Sequence, residues 1–144
     1  MRRTALLITC LVVVSIGCGG RATVVNPTGK GGMARAIDRT KVIGQLRQIG
    51  TAYFQSSIDG APKGPDDLLP NLENNPTFAK LLKDGDIVVF WGVRTQNVQS
   101  PGQTVLAYEK DADENGSRYV LMADCASVKA MSEQEFKSAP KAGK

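Results

Sequence analysis

The sequence predicts an α+β domain, with a long N-terminal amphipathic helix packed on a small antiparallel sheet of three to four strands. Three observations predict it. Apolar residues recur at steps of three and four between Met33 and about Ser57. Three short strand-like runs follow one another after Asp86. The last two of these are joined by a polar, glycine-containing turn, the signature of a hairpin. A helix followed by consecutive strands argues against alternating βαβ units.

The helix is justified by Ile43, Leu46, Gly50 and Tyr53, flanked by Val42, Ile49 and Phe54, with Arg39, Lys41, Arg47 and Gln48 on other faces. Such a one-sided helix needs an apolar surface to lie on. Gly44 and Gly50 each cost about 1 kcal/mol against alanine in a helix interior, and close packing on a sheet would account for them. Residues 59–65 (DGAPKGP) read as a loop. Pro65-Asp66-Asp67 suits the first turn of a short helix ending near Pro70. Thr77 is placed to cap a second short helix, Phe78 to Lys83, stopped by Asp84-Gly85. The strands are Asp86–Trp91, Gln103–Lys110 and Arg118–Ala123, with Val128–Met131 as a brief fourth. Ser132-Glu133-Gln134-Glu135 has the capping-box pattern and opens a last helical turn through Phe136. Residues 138–144 read as a frayed, disordered basic tail.

The ends carry the address. Met1-Arg2-Arg3 is a positive n-region, and Ala5–Gly17 is a 13-residue uncharged, mostly apolar run. A membrane span needs ~20 apolar residues, so the run suits a signal-peptide core better. It ends in Ser15-Ile16-Gly17-Cys18, small residues before a cysteine, which resembles a bacterial lipoprotein lipobox. Cleavage would remove residues 1–17 and leave Cys18 as the lipidated N-terminus. Cys10 is a rival, but cutting after Thr9 leaves a very short apolar core. An uncleaved anchor or a plain secretory signal is the other reading. Cleavage at Cys18 leaves 127 residues and lowers the net charge from +4 to +2, which gives no argument for nucleic-acid binding. Several acyl chains together anchor stably, at about 0.8 kcal/mol per buried methylene. Gly19 stands where aspartate would retain a lipoprotein in the inner membrane, and by that analogy the outer membrane is favoured. Residues 18–32 then form the lipidated cysteine and a flexible Gly/Pro tether, and 33–137 the folded domain. Gly29-Lys30-Gly31-Gly32 lacks the glycine and the Ser/Thr of a phosphate loop.

Chemistry is sparse. With no histidine in the chain, Ser-His-Asp triads, Cys-His dyads and histidine-ligated zinc are excluded. Asp111, Asp113 and Asn115, followed by Gly116, match the first half of an oxygen-rich calcium loop, D-x-[DN]-x-[DN]-G. Position twelve would be Met122 and the flanks are strands, so the match is not an EF-hand. An ordinary polar turn competes with a looser calcium site. Cys125 reads as a buried structural thiol rather than a nucleophile. Asp66/Asp67 and Glu133/Glu135 sit at helix starts, where acids suit the macrodipole. Trp91, Tyr108 and Tyr119 are candidates for a ligand patch or for ordinary cross-strand pairs.

Several strings together resemble pilin-like proteins of planctomycete-type bacteria, related to type II secretion pseudopilins, that end in a D-G-S-V signature. Leu46-Arg47-Gln48-Ile49-Gly50-Thr51-Ala52-Tyr53 is similar to their LKQIGLA helix. Val105–Lys110, Val120–Asp124, Ser127-Val128-Lys129 and Met131-Ser132 with Glu135-Phe136 match their C-terminal part. The resemblance covers about 100 residues and implies a fold rather than a reaction. Here a lipobox and tether stand in place of the hydrophobic half-helix of a pilin. The D-G-S-V appears as Asp124-Cys125-Ala126-Ser127-Val128, with Cys-Ala in place of Gly.

The expectation is a non-catalytic, lipid-anchored, extracytoplasmic envelope protein with a structural or protein-interaction role. Its partners would be membrane lipid, through acylated Cys18, and another envelope protein. It needs no cofactor, calcium at the Asp111–Asn115 turn excepted. The alternatives are a calcium- or small-ligand-binding module and a pseudopilin-type secretion or assembly component.

Overall fold

A computed structural model describes residues 32–73 and 75–143. The expected signal peptide, Cys18 and nearly all of the expected tether lie outside the described residues. Helix α1 (Gly32–Asp59) is followed by two 3-10 turns, Pro65–Asp67 and Leu69–Leu72, and by α2 (Pro76–Lys83). Strand β1 (Ile87–Val89), a 3-10 turn at Thr95–Asn97, β2 (Val105–Glu109), β3 (Ser117–Met122), β4 (Val128–Ser132) and α3 (Glu133–Ser138) complete the chain. The protein is α+β. Its four strands form one antiparallel sheet in the order β1-β2-β3-β4, as consecutive hairpin-type connections require.

The sheet is covered on both faces. On one lies α1, whose Leu46, Ile49, Ala52 and Tyr53 are buried against Leu106, Ala107, Leu121 and Ala123. On the other, Val105, Val120 and Met122 pack with Phe90, Tyr108, Met131, Phe136 and Ala139. A register shift between Val105 and Ala107 inserts one extra residue into β2. It places both Leu106 and Ala107 in the helix-side core, which strict alternation would forbid.

Gly50 explains how closely α1 approaches the sheet. A Cβ there would lie 2.3 Å from the carbonyl oxygen of Cys125 and 3.1 Å from Leu121 Cδ1. Gly44 has no such role, because a Cβ there meets nothing within 4 Å. Tyr53 fastens the same helix to the loop after β1. Its hydroxyl lies 3.0 Å from Phe90 O and 3.1 Å from Val93 O, to which it donates, and it accepts the Val93 N–H at 3.2 Å. The Ser57 and Thr95 hydroxyls pair at 3.1 Å in the same buried layer.

Four expectations are corrected. Asn75, not Thr77, caps α2: Pro76 occupies the first turn, and the Thr77 N–H donates to Asn75 Oδ1 at 2.9 Å. The short helix expected from Pro65 to near Pro70 is instead two 3-10 turns, the first at Pro65–Asp67 as expected and the second running on to Leu72. Phe54 faces solvent, with Ile58, because the buried stripe runs through 46, 49, 53 and 57. The C-terminal residues do not fray through Ala142. Lys141 bridges Val105 in parallel, the Val105 N–H donates to Pro140 O, the Ala142 N–H donates to Val105 O, and Ala142 is buried. β1 pairs with only three residues of β2, and the C-terminal segment takes the β2 backbone groups that remain. In α3 the capping box is formed in full.

Candidate functional site

A cleft of about 290 Å³ opens where α1 passes the β2–β3 hairpin. Asp38, Arg39 and Val42 line it from the helix, Glu109 and Tyr119 from the sheet, and Asp113 and Asn115 from the turn. The turn is built by Asp113. Its Oδ1 accepts the N–H of Asn115 and of Ser117, both at 2.9 Å, and Gly116 takes the left-handed φ of 73°. This is an Asx-type turn, the geometry in which Asp, Asn and Gly replace backbone hydrogen bonds. Asp113 Oδ2 accepts from Arg39 Nη2 at 3.1 Å, joining α1 to the hairpin. The Ser117 and Asn115 amides, with the Arg39 guanidinium, hold the Asp113 carboxyl below its ordinary range.

Glu109 behaves oppositely. Burial pushes its pKa up, with the charges of Asp113 and Asp111 adding to it, against the Tyr119 N–H and Arg118. The cleft therefore sets one carboxyl that resists ionisation beside one that favours it, with a guanidinium and a phenol at hand. That set suits binding of a small polar molecule with an apolar portion against Val42 and Tyr119.

Of the predicted calcium residues, Asp113 and Asn115 line the cleft, and Asp111 lies close enough to act on Glu109. Both Asp113 oxygens already carry protein partners, two amides on one and Arg39 on the other. Among the described residues, no group of three or more His, Cys, Asp or Glu comes together as a metal site. Cys18 lies outside the described residues.

The other candidates disperse. Trp91 stacks on Tyr53 at 6.2 Å between ring centres. Tyr108 packs on Phe136 on the far face, while Tyr119 lines the cleft. Burial raises the Cys125 thiol to about 11, and Lys129 donates instead to Gly102 O at 2.8 Å. Asp66 meets Lys83, and Asp67 accepts the Lys63 N–H. Glu133 pairs with Arg118 at 2.6 Å, and Glu135 closes the capping box. Helical spacing puts Arg39 on an outer face, and nothing local in the sequence signals its reach to residue 113. Glu109 and Tyr119 share a face by strand alternation, which is a usable signal once the hairpin register is known.

Comparison with protein-family models, curated proteins and solved structures finds no match for this chain.

Proposed function

We propose that this chain is a non-catalytic, lipid-anchored protein of the cell envelope, with a pilin-like domain in a structural or protein-interaction role. The observation that carries the reading is the N-terminal sequence: two arginines, 13 uncharged residues and Ser15-Ile16-Gly17-Cys18. The pilin-like part draws support from α1 lying on an antiparallel sheet. It draws more from the turn after Asp124. Cys125, at the place of the signature glycine, has φ 61°, the left-handed conformation that glycine adopts without strain. Asp124 Oδ1 accepts the Ala126 and Ser127 N–H groups and Oδ2 accepts the Ser127 hydroxyl, so the turn is held without the glycine. The test is the intact mass of the protein extracted from membranes, beside a Cys18→Ser control. A chain beginning at Cys18 with acyl groups, lost in the control, is expected. An unacylated chain retaining Met1–Gly17 would overturn the anchor and favour a pseudopilin-type assembly component.

A second reading, a calcium- or small-ligand-binding module, is favoured by the cleft beside Glu109 and Arg39. Calcium would have to displace Arg39 from Asp113. Titration calorimetry with calcium decides that branch: no heat and no shift in melting temperature removes it.

A further inference from the structure

A separate cavity of about 300 Å³ opens where the middle of α1 meets the end of the second 3-10 turn and the start of α2, and it shares no residue with the Asp113 cleft. Gln48 and Thr51 line it from the helix, Asn71 and Glu73 from the turn, and Asn75 from the α2 cap. Leu72 and Phe78, both buried, supply its apolar part.

The fold fixes two of these side chains and leaves most of their hydrogen-bonding capacity unused. Asn71 Nδ2 donates to Ser56 Oγ at 2.8 Å, and Ser56 Oγ donates on to Asp67 O at 2.9 Å. Asn71 keeps its amide oxygen and one N–H. Asn75 Oδ1 accepts the Thr77 N–H at 2.9 Å, so both N–H of Nδ2 are left. Thr51 donates to Arg47 O and keeps its lone pairs. Gln48 and Glu73 make no side-chain hydrogen bond or ion pair with the described residues. Glu73 also holds φ 54° and ψ 27°, the left-handed region that glycine takes without strain. The turn gains nothing from a carboxylate there, and strain that local structure does not need gathers at ligand sites.

We propose that this cavity binds a neutral sugar ring, free or as the end residue of a glycan. No lysine or arginine lines it, so an anion finds no partner. Glu73 is its one carboxylate, a poor site for a divalent ion, which gathers several oxygen ligands and charges. What the lining offers is donors and acceptors in near balance: amides at 48, 71 and 75, a hydroxyl oxygen at 51 and a carboxylate at 73. Adjacent hydroxyls of a sugar each donate and accept, and they match planar amide and carboxylate groups two at a time. The C–H face of the ring meets Leu72 and Phe78. The volume lies at the small end of ligand pockets, ~300–1,000 Å³, and suits one ring rather than a chain. The site is independent of both the lipid anchor and the Asp113 cleft.

The test is saturation-transfer difference NMR on the full chain, in a detergent whose head group is not a sugar. The probes are glucose, galactose, mannose and N-acetylglucosamine, with glucosamine and glucuronate as charged counterparts, at about 10 mM, which fills a ~1 mM site. Transfer to the ring C–H protons of at least one neutral sugar is expected. Glu73→Gly should lower its affinity about tenfold, the worth of one hydrogen bond to a charged group, while the melting temperature is kept or raised. Gln48→Ala should lower it several-fold. Gln55→Ala, exposed on the same helix but outside the cavity, should leave it unchanged. No transfer to any neutral sugar, binding indifferent to both Glu73→Gly and Gln48→Ala, or tighter binding of a charged counterpart would overturn the proposal. The methyl glycoside of the best sugar, its anomeric oxygen capped as at a glycan end, separates the sources: equal binding assigns the end residue of a glycan, and loss assigns the free sugar.

Discussion

Replacing Gly50 by alanine adds one methyl group at the tightest point between helix and sheet. The new carbon would sit 2.3 Å from the Cys125 carbonyl oxygen and 3.0 Å from its carbon. Relief to an ordinary contact near 3.4 Å needs a shift of about 1 Å. Two backbones would have to share it, since neither atom belongs to a flexible side chain. The turn cannot yield easily, because Cys125 already holds φ 61° and Asp124 ties down the two following amides. Overpacking of this kind costs about 3 kcal/mol, and the better helix propensity of alanine returns about 1. The net expectation is a loss of about 2 kcal/mol, a fall of roughly 1 M in the urea midpoint. Gly44→Ala is the matched control, with the same propensity gain and nothing to strike, so it should gain about 1 kcal/mol. Urea unfolding of the detergent-solubilised protein, followed by the single tryptophan, Trp91, measures both. Equal stability of the two variants would refute the close approach of α1 to the β3–β4 turn.

Tyr53→Phe should cost about 1–3 kcal/mol, because the Val93 N–H loses its acceptor and the Phe90 and Val93 carbonyls lose the one hydroxyl proton they share; an unchanged urea midpoint would sink that account. Glu109 has its pKa raised in the folded state, so its contribution to stability is full below the unfolded value near 4.5 and is lost as pH rises through the folded value. Glu109→Gln, which stays neutral, should therefore gain on the parent between pH 4 and pH 7, and parallel stability curves would contradict the sign. Arg118 pairs with Glu133 and lies 4.7 Å from the Phe136 ring centre. Arg118→Ala should lower the urea midpoint through loss of the ion pair, the stack and the bond to Lys110 O, with lysine recovering only part; full recovery by lysine would show that charge alone matters.

What the sequence makes legible here is local. Alternation and turn chemistry mark the β2–β3 hairpin, and the Ser132–Glu135 spacing marks the start of α3, because each depends on neighbours within a few residues. The cap of α2 passes to Asn75 because Pro76 is compatible with the first helical position, and two adjacent candidates cannot be ranked by composition. The facing of α1 is harder. Val42, Ile43, Phe54 and Ile58 are equally apolar, and only the position of the sheet decides which of them lie inside. Tyr108 and Tyr119 look alike in the string, yet the pairing of Tyr108 with Val120 puts them on opposite faces.

The cleft shows why the candidate site was half visible. Asp113 is conspicuous because its motif is contiguous, and that contiguity is also what an Asx turn needs. The motif therefore cannot distinguish a turn from a metal loop, and the deciding atom belongs elsewhere. The Arg39 guanidinium, 74 residues away in sequence, meets Asp113 Oδ2. A cation at the turn has to compete with an intramolecular positive charge. Arg39→Ala leaves the amides on Oδ1 and the turn intact while freeing Oδ2, so a calcium titration that gives heat with this variant and none with the parent would show that Arg39 excludes the ion, and no heat with either would leave the turn as a turn alone.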